Sequence, residues 1–143
     1  MIIIGIDYGD ARTGISVCDK FEMLATPVKV ISQRNQEKLI DEIISIAKEY
    51  NAELIVVGLP KNMDGSTGFR GEKCLEFAEK IKEKSKISVT TQDERLTTVS
   101  AYNLLSEGNV YGKKRKSVVD EVASTIILQD FIDKRKQQGS GNG

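Results

Sequence analysis

Short apolar runs alternate with amphipathic stretches along most of this chain. Three β-branched runs, at residues 2–7, 14–19 and 26–32, follow one another with short breaks and predict three strands in an antiparallel meander. Apolar positions then recur at the spacing of one helix face from Gln36 to Tyr50, which predicts an amphipathic helix that stops at Asn51. The first third of the chain therefore predicts three strands followed by a helix.

The rest of the chain continues the alternation. ELIVVGLP, residues 53–60, is almost entirely apolar and is typical of a strand buried on both faces of a sheet. After a loop rich in turn formers, the pattern predicts a helix, a strand, a short helix and a final helix, at 72–84, 87–92, 99–106 and 118 to about 136. Ser117 is a suitable N-cap for the final helix, so the cations before it are predicted to form a turn. Residues 137–143 are expected to be a flexible tail.

These elements predict one α/β domain over residues 1–136. The sheet is expected to be mixed and five-stranded, with the antiparallel meander joined to parallel strands and helices on both faces. A chain of 143 residues with 39% hydrophobic content suits one compact domain. Ligands of such sheets gather where strand ends open into a crevice, so the ends of the strands are the first place to look for chemistry.

Composition narrows that chemistry. The chain has no histidine, which excludes Ser-His and Cys-His nucleophile pairs and histidine-ligated zinc. Lys plus Arg equal Asp plus Glu at 21 each, so binding to nucleic acid has to rely on local patches of charge. The two cysteines form no Cys-x-x-Cys motif, and no signal peptide or membrane span is evident, so we expect a cytoplasmic protein without a membrane partner.

Acidic residues stand at the ends of predicted elements. Asp7 ends the first strand, Asp93 and Glu94 end the fifth strand, and Asp120 opens the last helix. If the first strand neighbours the fourth or fifth, these carboxylates can meet at one edge of the sheet. Helical periodicity places both Asp120 and Glu121 next to apolar positions and does not choose between them.

Four ordered motifs carry a resemblance to a known family. GIDYGDARTGIS, GLPKNMDGS, DERLTT and VVDEVASTIIL occur at distances that resemble the RuvX (YqgF) family of ribonuclease-H-like nucleases, from Ile2 to about Leu128. The resemblance implies a ribonuclease-H-like fold related to the Holliday junction resolvase RuvC, and a role in trimming the precursor of small-subunit ribosomal RNA. It assigns the acids of the family to Asp7, Glu94 and Asp120. Three positions depart from the residues that are usual in the family, and none is an acid: Thr13, Ser16 and Ser124.

The resemblance also implies catalysis with metal ions. Two divalent ions about 4 Å apart can stabilise both the nucleophile and the leaving oxygen of a phosphodiester. Hard cations such as Mg²⁺ or Mn²⁺ prefer oxygen ligands, so Asp7, Glu94 and Asp120 suffice without histidine. Asp7 would be the bridging ligand on the central strand, and Gly9 would let a phosphate approach beside it.

Residues near these acids are candidates for binding a nucleic-acid substrate, either a ribosomal RNA precursor or branched DNA. Arginines beside the acids can contact phosphate, the loop KNMDGSTGFRG can lie over the crevice, and the cation run before Asp120 can contact the phosphate backbone. The candidates are Arg12, Asn62, Ser66, Arg70, Arg95, Lys113, Lys114, Arg115 and Lys116. The protein is expected to act as a monomer or a homodimer.

Two other functions remain open from the residues. The stretch GIDYG is similar to the first strand and glycine turn of actin-like and sugar-kinase phosphotransferases. Those proteins close two such domains around ATP, whereas this chain supplies one such domain. A nucleic-acid-binding module that has lost its chemistry is the third possibility, and the presence of all three acids argues against it.

Overall fold

A computed structural model describes residues 1–60, 68–93 and 112–141, with side chains from 122 to 136 in the last helix. Within these ranges the chain forms five strands and three helices. In chain order they are β1 (Ile3–Asp7), β2 (Arg12–Cys18), β3 (Ala25–Ser32), α1 (Gln36–Glu49), β4 (Leu54–Leu59), α2 (Phe69–Ser85), β5 (Ser88–Asp93) and α3 (Gly112–Gly141).

The strands form one mixed sheet in the order β3-β2-β1-β4-β5. β1 and β2 pair antiparallel, as do β2 and β3, whereas β1 runs parallel to β4 and β4 runs parallel to β5. This confirms the predicted fold class. The parallel part places the carboxyl ends of β1, β4 and β5 at one edge of the sheet.

Helices cover both faces of the sheet. α1 and α2 pack on one face against Ile4 and Ile6 of β1, while α3 packs on the other against Ile3 of β1 and Val56 of β4. Because successive side chains of a strand point to opposite faces, a strand between two layers of helices has apolar side chains on both faces. Every residue of β4 is buried, as the unbroken apolar run predicted.

The final helix differs from its predicted bounds. It begins at Gly112 rather than after Ser117, so the cation run at residues 113–116 forms the first turns of α3 and the prediction of a turn there was wrong. Lys and Arg are good helix formers, but a run of charges has no apolar periodicity to reveal a helix. α3 also continues to Gly141, beyond the predicted end at Lys136. The predicted short helix at 99–106 lies outside the described residues.

No helix in the described parts of the chain combines the length and apolarity needed to cross a lipid bilayer.

Candidate active site

Asp7 is the last residue of β1, which is the central strand of the sheet. Its backbone is paired in register with Gly14 of β2, and β4 flanks β1 on the other side. Alternation along β1 places Asp7 on the same face as Ile3 and Gly5, which is the face that α3 covers. The side chain of Asp7 is half-buried. The strand thus presents a carboxylate at a fixed position on the face of the sheet that α3 covers.

α3 crosses β1 closely at Gly5. A Cβ atom added at Gly5 would lie 2.7 Å from Leu128 Cβ and 3.1 Å from the carbonyl oxygen of Ser124, both in α3. The hydroxyl of Ser16, on β2, donates a hydrogen bond of 2.8 Å to the same carbonyl of Ser124. Ser16 and Ser124 therefore contact each other at this crossing.

The direction of α3 follows from contacts along its length. Its C-terminal half lies near the start of β1, where Gln129 accepts a hydrogen bond of 2.8 Å from the backbone N–H of Ala25 and Arg135 pairs with Glu22. Its preceding turns therefore run toward the end of β1. The backbone of residue 120 lies one helical turn before Ser124, on the side of the crossing nearest Asp7.

β5 ends at the same edge of the sheet as β1. Its register places Gln92 beside Gly58 and Asp93 beside Leu59 of β4. Two strand spacings separate β1 from β5, about 10 Å between backbones. Leu59 belongs to the core under α1 and α2, so Asp93 lies on that face of the sheet rather than on the face of Asp7.

The predicted metal ligands are described to different extents. Asp7 has a described side chain, Asp120 is described by its backbone alone, and Glu94 lies outside the described residues. Among the described side chains, no group of three or more acids or cysteines is arranged to hold a metal ion. The donor chemistry nevertheless fits a hard divalent cation, since a carboxylate at the end of a rigid central strand is an oxygen ligand that needs little reorganisation.

Arg12 lies at the start of β2, on the same face as Gly14 and therefore as Asp7. Its Nη1 atom is buried and has no hydrogen-bond partner among the residues that the structure describes. Burying a guanidinium N–H without an acceptor is unfavourable, and an anion such as a phosphate oxygen would satisfy it. The geometry favours Arg12 as a group that contacts an anion beside Asp7.

Arg70, at the start of α2, holds the turn between β1 and β2. Its Nη2 donates a hydrogen bond of 2.9 Å to the carbonyl of Tyr8, and its Nη1 lies 3.8 Å from the carboxylate of Asp10. The Tyr8 ring in turn stacks on Phe77 of α2 at a centroid distance of 3.9 Å. The structure therefore gives Arg70 a positioning role, and its contact with substrate stays a prediction.

The other predicted substrate-binding residues are not described at the level of side chains. Asn62, Ser66 and Arg95 lie outside the described residues, and the cations of residues 113–116 are described by their helical backbone alone. Sequence reasoning missed one contact near the site, a hydrogen bond of 2.6 Å from the amide of Gln92 to Asp130 of α3. No periodicity or motif links these two residues, which are 38 positions apart.

Comparison with solved structures defines the fold. The chain superposes on RuvC of Thermus thermophilus in complex with a Holliday junction substrate with a TM-score of 0.60 and 14% identity, covering 96% of each chain. The superposition on the fowlpox virus resolvase in complex with Holliday junction DNA has a TM-score of 0.54 and 12% identity, and it covers 94% of this chain and 98% of the resolvase chain. The fold is therefore that of the RuvC-like, ribonuclease-H-like resolvases.

The family follows from sequence. A model of the RuvX family, described as Holliday junction resolvase, matches residues 1–134, and the chain belongs to this family. A protein of Clostridium novyi is 42% identical over 133 residues, which cover 93% of this chain and 98% of the relative. A protein of Bacillus cereus is 41% identical over 138 residues, which cover 94% of this chain and 100% of the relative. Both carry the name "Putative pre-16S rRNA nuclease".

Proposed function

We propose that this protein is a divalent-metal-dependent nuclease that hydrolyses phosphodiester bonds in the precursor of 16S ribosomal RNA. One observation carries the proposal: Asp7 ends the central strand on the face covered by α3, and the turns of α3 before Ser124 run toward that end. Membership of the RuvX family and the names of relatives above 40% identity support the choice of reaction and substrate.

The proposed site is built from three carboxylates. Asp7, Glu94 and Asp120 would hold Mg²⁺ or Mn²⁺, because carboxylate oxygens are the ligands that these hard cations prefer. When bound, the divalent ions supply the positive charge that stabilises the attacking and leaving oxygens of phosphodiester hydrolysis.

The remaining residues of the proposed site orient the nucleic acid. Arg12 would donate from its buried guanidinium to a phosphate next to Asp7, which gives Nη1 the acceptor it lacks. The cations at 113–116, in the first turns of α3, would contact the phosphate backbone on the approach to the acids. Such contacts hold the scissile phosphate in place without reading base sequence.

A second candidate substrate is branched DNA. The fold is shared with resolvases whose structures contain Holliday junctions, and the matching family model carries that description. A four-way junction has two symmetric cuts, so this alternative favours a homodimer, whereas a monomer suffices for trimming an RNA end. Processing of ribosomal RNA also places the protein in the cytoplasm, which suits two buried cysteines that form no disulfide.

The decisive experiment compares cleavage of precursor-16S fragments, RNA–DNA hybrids and four-way DNA junctions with Mg²⁺ or Mn²⁺. We expect the wild-type protein to cut the RNA precursor and Asp7→Asn to lose more than about a hundredfold in rate, since even indirect support of a metal ligand is worth 10–100-fold. Asp10→Asn is the matched control, because it removes the same charge three residues after Asp7. The carboxylate of Asp10 is exposed, and its ion pairs with Arg70 and Lys73 are long.

Thermal melting supplies a second readout that does not depend on substrate. Clustered carboxylates repel one another without metal, so Asp7→Asn should melt in chelator at the wild-type temperature or higher, and should lose the rise that Mn²⁺ gives the wild type. A marked fall in chelator would show instead that Asp7 is a structural residue. A wild-type protein that binds the RNA but neither cuts it nor responds to Mn²⁺ would be a non-catalytic module.

A further inference from the structure

Gln92 is a buried polar residue next to the proposed site. It is 7% exposed and lies in the penultimate position of β5, beside Gly58 of β4. Its side-chain Nε2 donates a hydrogen bond of 2.6 Å to Oδ2 of Asp130 in α3, and the same oxygen lies 3.2 Å from the ammonium of Lys134. A buried amide needs such a partner, because a buried donor without an acceptor destabilises the fold.

The bond joins β5 and α3, two elements that make few other contacts with each other. α3 lies mainly across β1, β2 and β3, whereas β5 is the edge strand at the far side of β4. Among the described strands, β5 pairs with β4 alone. The Gln92–Asp130 hydrogen bond therefore fastens the margin of the sheet to the helix on its covered face.

One end of this bond is close in sequence to a proposed metal ligand, and the other lies in the same helix as a second one. Gln92 precedes Glu94 by two residues, and Asp130 lies in the same continuous helix as Asp120. A helix transmits a displacement along its axis, and a strand end transmits one to the next residues. Metal and substrate sites tolerate errors of only about 0.5 Å in the groups that form them.

We propose that Gln92 and Asp130 are a positioning pair that holds the end of β5 in place relative to α3 and so preserves the geometry of the proposed metal site. The inference rests on the proposed function, because it concerns the acids of that site. Neither residue is required to touch metal or substrate. The hydrogen bond fixes the end of β5 relative to α3, and its loss loosens the edge of the sheet at which the proposed site lies.

The test titrates Mn²⁺ against the melting temperature of each variant, and measures kcat and KM for the RNA precursor in parallel. Gln92→Leu removes the donor with a side chain of similar volume, and Asp130→Ala removes the acceptor at a half-exposed position. We expect each variant to need about tenfold more Mn²⁺ for half of its maximal stabilisation, with kcat lowered about tenfold and KM unchanged. The double variant should be no worse than either single one, because the pair acts as a unit.

Two controls separate positioning from general stability. Asp130→Asn keeps an oxygen that can accept from Gln92 and should retain the wild-type response to Mn²⁺. Lys134→Met removes the ion pair of Asp130 but leaves the hydrogen bond, and should also behave as the wild type.

The two possible failures look different. If Gln92→Leu and Asp130→Ala respond to Mn²⁺ as the wild type does, whatever their melting temperature in chelator, the pair is merely structural and the inference is overturned. If the wild type and Lys134→Met themselves gain no stability from Mn²⁺, the proposed metal site is overturned and the inference falls with it.

Discussion

Gly5 offers the sharpest test of how closely α3 lies on the sheet. In Gly5→Ala the new methyl group would lie 2.6 Å from the hydroxyl of Ser16, 2.7 Å from Leu128 Cβ and 3.1 Å from the carbonyl of Ser124. The Ser16 hydroxyl can rotate away only by giving up its bond to Ser124. The two atoms of α3 belong to the helix itself, so relief requires the whole helix to move.

The size of the effect follows from these distances. Restoring an ordinary contact of 3.4 Å at Leu128 Cβ displaces α3 by about 0.7 Å. Overpacking of a buried site costs about 1–3 kcal/mol in the free energy of unfolding. For a domain of this length, that lowers the melting temperature by about 4–10 °C. A displacement of this size one turn from Asp120 should also lower the cleavage rate about tenfold or more, since 1 Å of misplacement can cost a hundredfold.

The assay is a double-mutant cycle with Ser16→Ala, followed by thermal melting and by cleavage rate. Ser16→Ala alone loses one buried hydrogen bond, worth about 1 kcal/mol. In the double variant the oxygen at 2.6 Å is absent, so the combined loss should be smaller than the sum of the two single losses. The reasoning is refuted if Gly5→Ala melts within about 1 °C of the wild type and cuts at the same rate, because the helix then has room that the distances deny.

Two further predictions concern charged groups. Arg12→Met should weaken binding of the RNA precursor and reduce the slope of log affinity against log salt by about one. The free variant should melt at the wild-type temperature or higher, because it loses a buried N–H that has no acceptor among the described residues; a marked drop in melting temperature without nucleic acid would contradict this. The hydrogen bond from Arg135, at 2.7 Å, lowers the pKa of Glu22 below its ordinary 4.5. A carboxyl group whose pKa is lowered by folding stabilises the fold above its ordinary pKa, and this stabilisation is lost as pH falls through the lowered pKa. The wild type should therefore melt at a higher temperature than Glu22→Gln at pH 7, and this difference should disappear in strong acid. An advantage that persists unchanged below the lowered pKa would rule out this linkage.

The sheet was largely predictable because its signals are local. The apolar run at 53–60 gave β4, and the alternating β-branched runs gave β1, β2 and β3 within one or two residues. The start of α3 was not predictable in the same way, since residues 113–116 are all cations and carry no apolar face. Charge runs are typical of turns and of solvated helices alike, so the tertiary fold decides between them.

The position of Asp7 at the end of a strand was predictable from the sequence, whereas the contacts around it were not. Asp7 stood out as an acid after a buried apolar run, and it is the last residue of β1, on the face that α3 covers. The contacts of Arg70 with Tyr8 and of Gln92 with Asp130 join residues 62 and 38 positions apart. Such pairs have no periodicity, because they depend on how distant elements meet after the sheet has formed.

The two sides of the sheet have different consequences for engineering and divergence. The layer under α1 and α2 is filled by aliphatic side chains and Phe77, so replacements there are limited chiefly by volume and can be used to raise heat resistance. The layer under α3 contains Gly5, Ser16 and Gln92. At Gly5 there is no space for an added Cβ atom, and Ser16 and Gln92 each donate a hydrogen bond to α3 that depends on the direction of the donor. Libraries meant to keep turnover while improving durability should therefore vary the first layer and leave the second untouched.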